Sequence, residues 1–269
     1  MFSGDFAFGD FLVVSGVCLV VVVALMVLTA ELARRTGRVS VVDTVWGLGF
    51  VVVTVAALLT ANAVSDIEAF GERNSRAWLL FAAVGIWGIR LASHIARRSH
   101  GGGEDPRYEE LMSNGAGGIV RKVLLPQGLA IWFVSLPIQV SALSGDGVSP
   151  VLLIGLVLWA VGLAFEAVGD RQLAAYKQDP DRSGVMDRGL WSYTRHPNYF
   201  GDACIWWGIY LMCASSWPGV LTILSPIAMT YFLVFATGAR LLEKTMMQRP
   251  GYPEYAERTS MFFPLPPKG

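Results

Sequence analysis

The densest chemistry in the chain lies in GLWSYTRHPNYFGD, from Gly189 to Asp202. Pro197 suits the first turn of a helix, where its missing N–H costs nothing. Arg195 and His196 then stand just before the positive end of that helix, a place that favours a phosphate or a carboxylate. Asn198, Tyr199 and Asp202 follow inside it, and Asn198 and Asp202 share one face at i and i+4. Gly201 leaves room for something to approach the helix backbone closely. The same residues also read as a plain helix start with interfacial aromatics. Upstream, FEAVGDRQ puts Glu166 and Asp170 on one face beside Arg171 and Gln172. They form either a polar helix end paired with an arginine, or acceptors for the ribose and amide hydrogens of a ligand.

Other groups are scattered more widely. RLLEK sets Arg240, Glu243 and Lys244 on one charged stripe, which also suits an ordinary solvated helix end. GYPEYAERTSMFFP combines Tyr252, Tyr255 and Arg258 with Met261, Phe262 and Phe263, the pattern of a short amphipathic helix lying on a membrane face. In SVVDTVWG, Ser40 and Asp43 have the spacing of a capping box, so Asp43 either caps a helix or handles a proton. Arg90 lies inside an apolar run, and Arg97 falls near the same face. HGGGEDPRYEEL offers glycines and then a cluster containing Tyr108, but it follows no strand and lacks GxGxxG. No P-loop, HExxH, GxSxG or paired-cysteine motif occurs. Cys18, Cys204 and Cys213 lie in or beside apolar segments without ligand spacing; they read as small buried hydrophobes, and no metal site is expected.

The elements that must position these residues are membrane helices. Hydrophobic residues make up 54% of the 269, mean hydropathy is +0.49, and only 16% are charged, against about 25% in soluble proteins. The apolar residues come in blocks of roughly 20, enough for a helix to cross a ~30 Å hydrocarbon core. Seven spans are expected, at about 11–32, 42–61, 77–96, 123–143, 151–168, 199–215 and 220–239. Pro126 and Pro137 should kink or break the fourth. Arg34, Arg35, Arg38, Arg97, Arg98, Arg107, Arg121, Lys122, Arg171, Lys177, Arg182, Arg188, Arg195, Arg240, Lys244, Arg249, Arg258 and Lys268 all fall on one side of this arrangement. Only Arg73 and Arg76 lie in loops on the other. The positive-inside rule then puts the N-terminus outside and the C-terminus in the cytoplasm. The first apolar block lacks the basic start and cleavage site of a signal peptide, so it reads as a retained helix. One all-α, multi-pass domain over residues 1–269, in the cell membrane, is the expectation. No basic tail or helix suggests nucleic-acid binding, and nothing implies an obligate protein partner.

Taken together, SVVDTVWGLGF, WGIRLASHIARR with GEDPRY, FEAVGDRQ, GLWSYTRHPNYFGD with WWG, and RTSMFFPLPP resemble the membrane steroid 5-alpha-reductase superfamily, over about 40–267. The resemblance is closest to a bacterial branch of it. It implies seven helices enclosing NADPH at the cytoplasmic side, with an apolar substrate entering from the bilayer. A hydride then reduces a carbon–carbon double bond conjugated to a carbonyl, and a polar residue stabilises or protonates the developing enolate. It places the cofactor in the half from 150 to 265, on Glu166, Asp170, Asn198, Tyr199, Asp202, Arg240 and Glu243, with Arg195 and His196 near the phosphates. The steroid enzymes use a glutamine–glutamate pair on an early helix and a nearby tyrosine. That pair is missing here, and Asp43 and Tyr108 stand nearest to its place. The expected substrate is therefore a lipid-like or steroid-like molecule of unspecified structure. RHPxYxG with the tail YxEYxxRTxxFxP also resembles membrane methyltransferases that use S-adenosylmethionine on isoprenylated cysteine or phospholipid; WWG, FEAVGDRQ and SVVDTVWG favour the reductase. A transporter or assembly factor would need inverted repeats or polar groups at midplane.

Overall fold

The computed structural model describes residues 6–66, 74–99, 103–104, 108, 115–144, 147–182 and 184–268. In chain order the helices that matter here are α1 (Phe8–Thr36), α2 (Val41–Val64), α3 (Ser75–Ser99), α4 (Gly117–Ser141), α5 (Pro150–Gln178), α6 (Pro197–Ala214), α7 (Gly219–Met246) and α8 (Tyr252–Arg258). The described residues contain no strand, and one isolated bridge joins Thr194 to Ser260. Six of these helices, all but α6 and α8, are long and apolar enough to cross a membrane. Six of the seven expected spans therefore meet that standard. The remaining one, expected at 199–215, is the 18-residue α6. It is short and is made polar by Asn198, Asp202 and two glycines. Arg73 and Arg107 lie outside the described residues.

The chain divides into two compact units, Met1–Leu152 with Met212–Ser225, and Leu153–Leu211 with Pro226–Gly269. In the first unit, α1 is apolar all round yet buries only one stripe, Val14, Cys18, Val22, Met26, Thr29 and Ala33. Val13, Val20, Val23 and Val27 on its other side are exposed. A helix of this kind belongs in hydrocarbon rather than water. It ends at Gly37, whose left-handed φ of 67° returns its N–H to Ala33. Helix α2 packs on α1 and α3. At the α2–α3 crossing a Cβ on Gly47 would come within 2.6 Å of the Gly88 carbonyl, so the two backbones touch. In α4, a π turn at Val120–Leu124 precedes Pro126, and the helix breaks at Ser135 before Pro137. The two prolines thus interrupt this span as expected.

In the second unit α5 and α6 lie backbone against backbone. Gly155, Gly162 and Gly169 recur every seven residues on α5, as do Gly201 and Gly208 on α6. A Cβ on Gly162 would sit 2.5 Å from the Gly201 carbonyl, and one on Gly208 would sit 2.6 Å from the Gly155 carbonyl. What approaches the backbone at Gly201 is therefore α5 and not a ligand. Phe200 packs edge-on against Phe165 at 5.3 Å and against Phe262 at 5.9 Å. This aromatic stack ties both helices to the segment after α8.

Candidate functional site

The glycine contact brings ionisable groups together in the second unit. With no side chains between them, α5 and α6 approach closely enough to bury Glu166 and Asp170 on one and Asp202 on the other. Glu166 is 3% exposed, and its backbone N would be 2.6 Å from a Cβ on Gly201. Burying carboxylates costs several kcal/mol unless partners repay it. Three of them lie on this one helix pair. Asn198 stands at the start of α6, half-buried, and its amide makes no hydrogen bond among the described residues. Tyr199 stacks on His196, with ring centroids 5.5 Å apart and planes 9° from parallel. Each of these sequence-predicted residues therefore lies on or beside one helix pair.

Arg195 behaves otherwise. Its Nε and Nη2 donate to the two oxygens of Glu243, at 2.6 and 2.8 Å, and its Nη1 donates to the carbonyls of Ala256 and Thr259. His196 Nε2 lies 3.2 Å from the same carboxylate, and the Tyr252 hydroxyl donates to it at 3.4 Å. Burial first, then the charge of Glu243, pushes the Tyr252 phenol up to about 12, so it remains a donor. The arginine expected beside a phosphate is thus a clamp that binds the turn before α6 to the last turns of the chain. Glu243 is the other jaw. Arg240 does not extend the charged stripe toward Glu243; its guanidinium lies over the Phe235 ring, 4.4 Å from the centroid. Further straps hold the same turn. Trp191 Nε1 donates to the Gly169 carbonyl at 3.0 Å, Leu190 N–H donates to Gln172, and the Tyr255 hydroxyl donates to the Trp191 carbonyl. Within GYPEYAERTSMFFP only Tyr252–Arg258 is helical, and its two tyrosines are buried.

The first unit holds a second cluster at the start of α2. The Tyr108 hydroxyl donates to Asp43 Oδ1 at 2.6 Å. Tyr108 is buried and Asp43 half-buried. The expected capping box does not form, because Ser40 has helical backbone angles and no side-chain cap bond. Glu104 takes that role, accepting the N–H groups of Val39 and, at 3.1 Å, Ser40. Glu104 was visible in the sequence only as one acid of GEDPRY, and nothing local pointed to its partner 64 residues away. The seven-residue glycine spacing on α5, in contrast, was a readable signal.

A family model described as Protein of unknown function (DUF1295) matches residues 30–259, and the chain belongs to that family. The match takes in every candidate residue from Asp43 to Glu243. No curated protein and no solved structure matches.

Proposed function

We propose that this member of the DUF1295 family is a membrane-embedded, NADPH-dependent reductase acting on a carbon–carbon double bond conjugated to a carbonyl in a membrane-soluble lipid. The carrying observation is the buried acid cluster of Glu166, Asp170 and Asp202 beside the available amide of Asn198. Carboxylates held away from water accept hydrogen bonds from ribose hydroxyls and a carboxamide, and Asn198 both donates and accepts. The donor set therefore suits the nucleoside parts of the cofactor. Its phosphates need cations, and with Arg195 committed to Glu243 these fall to the exposed Arg171, Arg182, Arg188 or Arg240. NADPH, when bound, supplies the hydride. In this reading Asp43 and Tyr108 handle the proton. The enolate left on the substrate takes up one proton, so one hydride and one proton saturate the double bond. The loops carrying the basic residues, and the C-terminus, face the cytoplasm.

Ligand-dependent stability of the purified protein tests this reading directly. A ligand of the native state adds RT ln(1 + [L]/Kd), about 2.7 kcal/mol at a hundredfold excess over Kd. NADPH should raise the melting temperature in detergent. Stabilisation by S-adenosylmethionine and not by NADPH would move the protein to the methyltransferases. No response to either would remove the enzymatic reading.

A further inference from the structure

We infer that the apolar groove between α5, α6, α7 and the C-terminal segment holds the hydrocarbon chain of the lipid substrate. The inference rests on the reductase reading and adds to it where the unreactive part of the substrate lies. The groove belongs wholly to the second unit and has a volume of about 140 Å³. Leu158 of α5, Thr230 of α7 and the α6 residues Phe200, Ala203 and Trp207 line it. The α6 residues have the i, i+3, i+7 spacing of one helix face, so the groove runs along about two turns of that helix. Phe262 and Phe263 form the remaining wall. An apolar cavity of about 150 Å³ in another protein takes a benzene ring, so this groove has space for about six carbons.

The chemistry of the lining selects the occupant. Trp207 Nε1 donates to the Thr230 hydroxyl at 3.1 Å, and that hydroxyl donates to the Pro226 carbonyl at 2.8 Å. With both protons committed, the groove accepts hydrocarbon and penalises a hydroxyl or an amide. Left empty, its walls would forfeit dispersion contacts. The groove is also built by the turn that opens the candidate site. Thr194 Oγ1 lies 3.2 and 2.9 Å from the carbonyls of Met261 and Phe262, and the Arg195 N–H donates to the Ser260 carbonyl at 2.9 Å. These bonds hold the two phenylalanines over α6. Asp202 falls between Phe200 and Ala203 in sequence and is buried on the adjoining face of the same helix. An occupant of the groove is therefore presented beside the acid cluster. A substrate chain must lie there, and a passing bilayer lipid need not.

The test uses the full-length protein in lipid nanodiscs, with a long-chain 2-enone bearing a diazirine at its chain end as probe. Photolysis should label the peptides 200–207 and 262–263, and the unlabelled enone should compete with that labelling. Leu158→Trp fills the groove from α5. It should raise the KM of the long-chain enone, expressed per lipid, by about tenfold or more, the worth of a misfitted methylene, and leave that of a short-chain enone within about twofold. If that variant does not fold, Phe263→Ala removes a wall residue that is 64% exposed and should raise the same KM in its place. Labelling spread over the exposed faces of α1 and α5 without competition would mark a furrow filled by bulk lipid and overturn the inference. An unchanged KM in a folded variant that consumes NADPH normally would overturn it as well, and leave the reductase reading intact. Competed labelling of the groove in a protein that neither binds nor consumes NADPH would sink the reductase reading and leave the lipid groove standing.

Discussion

Arg195 and Glu243 meet across 48 residues of chain, each side of the guanidinium fork bonded to one carboxylate oxygen, with both side chains largely buried. Paired donors of this planar kind fix direction as well as distance. The pair therefore determines where α6 begins relative to the end of α7. Asn198 and Asp202 inherit their places from it.

Breaking this pair should be costly. Arg195→Ala or Glu243→Ala leaves a buried charge without its counterpart, a change worth about 3–5 kcal/mol. The double variant should lose clearly less than the sum of the two. Thermal unfolding of the four proteins in detergent measures the coupling, and simple additivity would show the pair to be incidental.

Asn198→Ala removes a half-exposed amide that both donates and accepts. It should weaken NADPH binding by about 1–3 kcal/mol and leave the melting temperature of the ligand-free protein nearly unchanged. Titration of the wild type and the variant with NADPH gives the answer, and equal affinities would exclude Asn198 from the cofactor site.

Asp43→Asn keeps size and most hydrogen bonding while removing charge. The variant should bind NADPH normally and lose turnover by roughly a hundredfold or more. If Asp43 only steadies the start of α2, the change appears as about 1 kcal/mol of stability with normal turnover. The natural substrate for this comparison should be sought among unsaturated lipids that accumulate when the gene is deleted.

Gly201→Ala should be among the most damaging small changes. The added methyl would meet the backbone of Gly162 and Glu166 at 2.5–2.6 Å, so α5 and α6 must part. Overpacking of this kind costs about 1–3 kcal/mol, and separation of the helices should abolish NADPH stabilisation as well. Gly85→Ala on α3 is the matched control, since nothing lies within 4 Å of the new atom. It should be neutral or stabilising by about 0.5–1 kcal/mol.

A reporter fused after Gly269 should be active only in its cytoplasmic form, because the basic residues collect on that side. Activity of a periplasmic reporter at the same position would reverse the orientation and put the acid cluster at the outer face.

Much of the helical arrangement was legible because hydrocarbon imposes a length and a composition on each span, and α1 to α5 and α7 obey both. Helix α6 was harder, since its polar start, Asn198 to Asp202, dilutes the apolar signal. Within the site, Glu166 and Asp170 stood out by being expensive where they are. The partnerships were not legible. That Glu243 reaches back to Arg195 and not forward to Arg240, or that Glu104 caps α2 in place of Ser40, depends on how distant segments fold together. Spacing along one helix carries no trace of either.

The clamp on Arg195 also bears on how the protein is made. Arg195 leaves the ribosome well before Glu243, and its remaining acceptors, the carbonyls of Ala256 and Thr259, come later still. Until those residues are synthesised the guanidinium has none of its native partners, and a lone charge resists entry into an apolar interior. The turn that opens α6 must therefore wait in water while the rest of the chain is inserted. The second unit closes only after translation has passed residue 259, and a nascent chain stalled before that point has α6 without its anchor.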